Sequence, residues 1–138
     1  MKVPLGLGFL LTYLVYQAGQ TPFYVGAWQL DEAKTLASLL SQHEIPAEER
    51  LMLRDNINSG IVHVLHEHAF TTYPANRMPE QLKFTPHKVE ILGDTTIRTT
   101  YFSRPQRADI IQILTFESNC YYIRASKWQF KQYYCRVE

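Results

Sequence analysis

The chain has 138 residues, 46% of them apolar and 20% charged, which excludes intrinsic disorder and suffices for a core without metal or disulfide support. A net charge of +1 offers no bulk attraction for nucleic acid or an anionic membrane, so neither is expected as a partner. Aromatic residues reach 13%, which favours strands, where flat rings suit a pleated, half-buried surface.

Lys2 carries the only charge before Asp31. Residues 3–15 form an apolar block as long as a signal-peptide core and short of the ~20 residues that span a bilayer. Residues 1–20 are therefore expected to be a signal peptide or an uncleaved signal anchor, with the small residues Ala18 and Gly19 near its end. Membrane association is expected only through this segment. Residues 21–138 are expected to form one domain, secreted or periplasmic.

Residues 23–30 read as a first strand, with Tyr24, Gly26 and Trp28 on one face. Asp31 is an N-cap and Glu32 suits the helix dipole, so a helix is predicted over 32–42, burying Ala33, Leu36, Leu39 and Leu40. Pro46 opens a second helix with Leu51, Met52, Leu53 and Ile57 on its buried side, ended by Asn58-Ser59-Gly60. From Ile61 the period changes to alternation. Strands are predicted over 61–70, 82–85 with 87–92, 95–102, 109–116, 119–125 and 130–137, with a loop over 71–80. Pro86 marks a bulge or an edge, because proline donates nothing to a central ladder. The region after Gly60 suits about six or seven strands of ordinary length. The predicted fold is mostly β (α+β): a curled antiparallel meander or small barrel, with a two-helix lid between its first and second strands.

Cys120 and Cys135 fall opposite each other if the last two strands form a hairpin, and export would favour a disulfide; two reduced thiols are the other reading. In the predicted strand 61–70, His66 and His68 share a face and could place two imidazoles on a metal, with His87 as a third ligand. The competing reading is a solvated polar patch. His63 faces the other way, with Leu65. No Gly-x-Ser-x-Gly, no phosphate-cradling glycine run and no paired acid–base carboxylates occur, so catalysis is not expected and no cofactor is implied. Tyr121, Tyr122, Tyr133 and Tyr134 alternate near Arg124, Lys127 and Lys131, a pattern that fits a core face backed by a basic outer face better than base stacking.

The run Tyr24-Val25-Gly26-Ala27-Trp28-Gln29-Leu30, followed by a helix pair, a meander and the ending Tyr134-Cys135-Arg136-Val137-Glu138, resembles a calycin. Both lipocalins and fatty-acid-binding proteins carry Gly-x-Trp on the first strand, and the export segment suits small lipocalin-like domains of bacterial envelopes. The resemblance implies that Trp28 plugs the closed end of a barrel under an arginine from near the chain's end. Arg136, on the face of Phe130 and Tyr134, is expected there rather than Arg124. The family's carboxylate-binding arginine is matched by Gln132, which supplies neither its charge nor its fork. The expected interior draws on Trp28, Phe116, Tyr121, Ile123, Phe130, Gln132 and Tyr134. The expected function is a non-enzymatic extracytoplasmic module holding a small apolar or amphipathic ligand. The rivals are a ligandless domain that meets an envelope protein through an aromatic edge, and a metal site at His66 and His68.

Overall fold

The computed structural model describes residues 21–57 and 60–137. The expected export segment and the helix stop at Asn58-Ser59 lie outside the described residues. The elements follow as β1 (Gly26–Leu30), α1 (Glu32–Leu40), α2 (Ala47–Asp55), β2 (Ile61–Leu65), β3 (Ala69–Pro74) and β4 (Thr85–Pro86). The rest is β5 (Lys88–Ile91), β6 (Thr96–Ser103), β7 (Ala108–Glu117), β8 (Cys120–Ala125) and β9 (Phe130–Arg136).

These strands form one nine-stranded antiparallel sheet in the order β4-β3-β2-β1-β9-β8-β7-β6-β5. Its two edges, β4 and β5, are consecutive in the chain and separated by His87 alone, so the sheet curls into a nearly closed barrel. Pro86 sits on the edge strand β4, where its missing N–H costs no ladder bond. Two local meanders, β1–β4 and β5–β9, meet where β1 pairs with β9. That seam has three register pairs: Trp28 with Arg136, Gln29 with Cys135 and Leu30 with Tyr134.

Trp28 is 1% exposed and packs edge-on against Phe116 and Tyr121, with ring centroids 5.3 and 5.2 Å away. The Arg136 guanidinium lies 4.2 Å over the indole and donates to the carbonyls of Val25 (3.2 Å) and Phe23 (3.0 Å). Trp28 Nε1 donates to the Tyr24 carbonyl at 3.2 Å. Gly26 has φ +153°, and a Cβ there would collide with Arg136 Nη1. Gly-x-Trp is thus two parts of one device: the tryptophan offers its face, and the glycine leaves room for the fork that covers it. Beside the seam, a disulfide joins Cys120 and Cys135, which face each other across β8 and β9.

Helix α1 begins at Asp31, whose carboxylate accepts from the Lys34 N–H at 3.0 Å. The expected apolar face is corrected: Thr35 and Leu39 are buried, while Ala33 and Leu40 are exposed. Strand β1 stops at Leu30 and leaves the first half of β9 without a neighbour on that side. Helix α1 takes its place. Thr35 Oγ1 accepts from the Tyr133 N–H at 2.9 Å, and Ser38 Oγ accepts from the Lys131 N–H at 2.8 Å. Two hydroxyls one helical turn apart therefore complete a sheet edge. Leu39 then packs with Ile45 and Phe130 in a second core cluster under the helices. In α2, Leu51 and Met52 are exposed, contrary to expectation, and Leu53, with Ile57 just beyond the helix, does the packing. Trp128 Nε1 ties the β8–β9 turn to this helix by donating to Glu49 Oε1 at 2.9 Å.

The expected strand 61–70 is two strands. His66 N–H donates to the Ala69 carbonyl at 2.8 Å and closes a tight turn, so β2 and β3 form a hairpin and the loop begins after Pro74. Eight strands therefore follow Gly60, more than its length suggested, because several are short.

Thr35→Val keeps the shape of the helix face but strands the Tyr133 N–H. It should cost about 1–3 kcal/mol, the desolvation penalty of an unpaired buried donor. Chemical denaturation of the variant against the parent checks this; an unchanged midpoint would show that water serves Tyr133 equally well.

Candidate ligand cavity

Strand alternation sends His63 and Leu65 of β2 inward, opposite Trp28 and Gly26 of β1. Tyr121 and Tyr134, paired across β8 and β9, point the same way. The three polar rings meet: His63 Nδ1 lies 3.1 Å from Tyr121 Oη, and the His63 ring stacks on Tyr134 at 4.3 Å. Tyr134 stacks in turn on Tyr121 at 5.1 Å, and Tyr121 rests against Trp28. A continuous run of rings leads from the clamp at Arg136 to the middle of the barrel.

There the packing leaves a cavity of about 190 Å³. His63, Tyr121 and Tyr134 form one wall. Phe70 and His87 close another, with their rings stacked 5.5 Å apart. His87 Nε2 meets the His66 carbonyl at 2.8 Å, and its backbone N–H donates to the His68 carbonyl at 3.0 Å. The residue that links the two sheet edges is therefore also a wall of the cavity. Thr72, Thr99, Tyr101 and Gln112 add neutral polar groups, and Leu114 and Ile123 add apolar surface. Among the described residues that line this space there is no Lys, Arg, Asp or Glu.

Burial sets the electrostatics. It pushes the His63 imidazole down to about 4, so the ring is neutral at pH 7. It also lowers His87, helped by the neighbouring His68 and His66 and opposed by the hydrogen bond to the His66 backbone. Tyr134 is pushed up to about 12 by burial, and Tyr121 well above its ordinary value. All four rings therefore act as neutral hydrogen-bonding groups.

Of the residues expected inside, Tyr121, Ile123 and Tyr134 line the cavity. Trp28 and Phe116 lie in the core cluster packed behind Tyr121. Phe130 belongs to the second cluster, under the helices. Gln132 shares the inward face of β9 with Tyr134 but is not part of the cavity wall. His66 and His68 lie in the β2–β3 turn, so the alternation that put them on one strand face does not apply. The His66 ring stacks on Phe84 at 4.5 Å, and no group of three or more metal-ligating side chains occurs among the described residues. The rest of the wall was not among the residues expected inside, and of these His63 was the one polar ring with a readable signal. Its signal was present in its position two residues before Leu65, on the face that strand alternation turns away from His66 and His68.

No family model matches the chain, and no curated protein or solved structure matches it either. The calycin resemblance accordingly rests on Gly26, Trp28 and Arg136 and on the barrel they help to close.

A histidine held near 4 in the folded state and near 6.5 unfolded binds fewer protons folded than unfolded between those values. Stability should therefore fall as pH drops from 6.5 to 4. The contribution of His63 is on the order of 2–3 kcal/mol across that window. Replacing it, as in His63→Phe, should remove this share of the pH dependence while keeping a ring against Tyr134. Urea unfolding of both proteins between pH 4 and 7 measures the difference; parallel profiles would show that His63 titrates normally.

Proposed function

We propose that the chain is a calycin-like, non-enzymatic binding module of an extracytoplasmic compartment, whose barrel holds one small, uncharged, amphipathic ligand. The observation that carries this reading is the cavity of about 190 Å³, walled by neutral rings, amides and hydroxyls with apolar surface between them. A cavity of roughly 150 Å³ accommodates benzene, whereas drug-sized ligands occupy roughly 300 Å³ or more. A single ring or a short chain fits; a long-chain fatty acid does not. An ionised group placed inside would meet no countercharge and would lose its hydration, a cost of several kcal/mol. The His63–Tyr121 pair offers one hydrogen-bond donor or acceptor to the ligand, whichever the histidine tautomer leaves free.

Support for the compartment comes from the Cys120–Cys135 disulfide, which persists where thiols are oxidised, and from the apolar N-terminal sequence. The non-enzymatic reading is supported by the wall's chemistry. Of the two cavity histidines, His63 is engaged with a tyrosine and His87 with a backbone carbonyl, and no carboxylate faces them there.

Three compounds with one ring and different charge test the reading at pH 7: benzyl alcohol, benzoate and benzylamine. Benzyl alcohol should bind with a Kd of about 0.1–1 mM, the range for so few atoms, and benzoate and benzylammonium at least tenfold more weakly. Amide chemical-shift changes should centre on β2, β6, β8 and β9, and Thr99→Phe, which fills the cavity, should abolish them. Benzoate binding as tightly as the alcohol would contradict the uncharged site. Binding of none of the three would contradict the module itself.

A further inference from the structure

The disulfide lies on the outer face of the barrel, away from the cavity. Strand alternation turns Tyr121 and Tyr134 inward and their neighbours Cys120 and Cys135 outward. Helix α1 begins beside the pair, and its cap and first turn bring one charge of each sign to the two sulfurs. Lys34 Nζ donates to Cys120 Sγ at 3.6 Å, and Asp31 Oδ2 lies 3.6 Å from Cys135 Sγ. Other contacts hold both side chains there. Asp31 Oδ1 caps the helix, and the Lys34 ammonium lies 5.7 Å from the centre of the Tyr133 ring. The sulfurs differ in access too: Cys120 is 5% exposed, whereas Cys135 is only half-buried.

A disulfide is exchanged when a thiolate attacks one sulfur and expels the other as a thiolate. Access, and the stability of the charge that leaves, decide which sulfur is attacked. Here both point the same way. Attack at Cys135 meets the more open sulfur and leaves the negative charge on Cys120, against the Lys34 ammonium. Attack at Cys120 would have to reach a buried sulfur and leave the charge on Cys135, facing the Asp31 carboxylate. Glu117, the register partner of Cys120, also carries a negative charge on this side. It is exposed, so its charge acts through water, while Lys34 touches the sulfur.

We propose that the Cys120–Cys135 disulfide is a thiol-exchange site, modified at Cys135 by a small thiol that is neutral or positively charged. The external thiolate bonds to Cys135 Sγ, the bond between the two cysteines breaks, and its electron pair leaves on Cys120 Sγ beside Lys34. A second external thiolate then attacks the outer sulfur of the adduct. That step releases the external disulfide and a Cys135 thiolate, which takes a proton from water and donates it to Asp31 Oδ2. Two thiols are thereby oxidised to one disulfide, and the protein is reduced by two electrons. Asp31 repels an anionic thiol from the attacked sulfur, which sets the charge preference. The site is independent of the cavity reading, since neither cysteine lines the cavity.

The test uses the oxidised full chain and 2-mercaptoethanol, a neutral thiol, at pH 7. Short reactions are quenched in acid, which stops exchange, and single adducts are located by peptic mapping in acid. The adduct should sit on Cys135 in at least tenfold excess over Cys120. Lys34→Met should slow disulfide loss at least fivefold, and Lys34→Arg should restore the rate. Asp31→Asn keeps a capping side chain and removes the charge. It should speed attack by the anionic 2-mercaptoethanesulfonate at least threefold more than attack by 2-mercaptoethanol. Adducts on Cys120 in equal or greater amount would overturn the proposal, as would an unchanged rate in Lys34→Met. An equal response of the two thiols to Asp31→Asn would overturn the charge preference. A rate that rises with urea in step with global unfolding would make exchange a property of the unfolded chain and overturn the site. No reduction at millimolar thiol would overturn it equally.

Discussion

The stacking of Arg136 on Trp28 holds the first strand to the last, and the barrel depends on it. Within each meander, β1–β4 and β5–β9, every strand lies beside the next one in sequence, apart from the break between β4 and β5 that separates the two. The seam between β1 and β9 joins residues more than a hundred positions apart through three register pairs. Such a short ladder is a weak tie between two sheets. The guanidinium strengthens it by covering the indole and binding two carbonyls that precede β1, so the incoming chain is fixed as well. The neighbouring disulfide restricts β8 and β9 on the same side. Helix α1 extends the seam where β1 ends, with hydroxyls in place of a strand. The other junction, between β4 and β5, is a single residue, and His87 holds it with a backbone and a side-chain hydrogen bond.

The cavity follows from these two junctions. Rings stacked inward from the clamp fill the barrel as far as Tyr121, Tyr134 and His63, and His87 closes the opposite wall. Space is left between them because Thr72, Thr99 and Gln112 are too small or too polar to fill it. The same residues that close the barrel therefore set the size and polarity of the cavity. The proposed preference for a small uncharged ligand rests on this volume and wall chemistry together.

Much of this is legible in the chain. Alternation groups Trp28 with Tyr24 and Gly26, and the calycin resemblance turns that face inward; a period of two then chooses Arg136 over Arg124 and sets Cys120 opposite Cys135 once the last hairpin is placed. Alternation also misleads. Ile61 to Phe70 reads as one strand because His66-Glu67-His68 contains none of the glycine, proline, asparagine or aspartate that marks a turn. The helix face misleads for a different reason. Thr35 and Ser38 look like solvent-facing positions, yet they bond the backbone of a strand more than ninety residues away, and Thr35 is fully buried. A cavity has no signature in sequence, since its walls come from several strands and its volume is what packing leaves over. The register of β7 with β8, confined to Thr115, Phe116 and Glu117, is likewise not determined by length and pattern.

A double-mutant cycle on the seam tests the central claim most directly. Trp28→Leu and Arg136→Ala, singly and together, would be compared by urea unfolding at pH 7. If the clamp joins the two halves, each change destabilises, and the double variant loses less than the sum by about 0.5–2 kcal/mol, the worth of a cation over an aromatic face. Losses that add to within roughly 0.3 kcal/mol would mean that Arg136 and Trp28 act separately. The seam would then be held by its backbone ladder and the disulfide, and Gly26, Trp28 and Arg136 would not form one device.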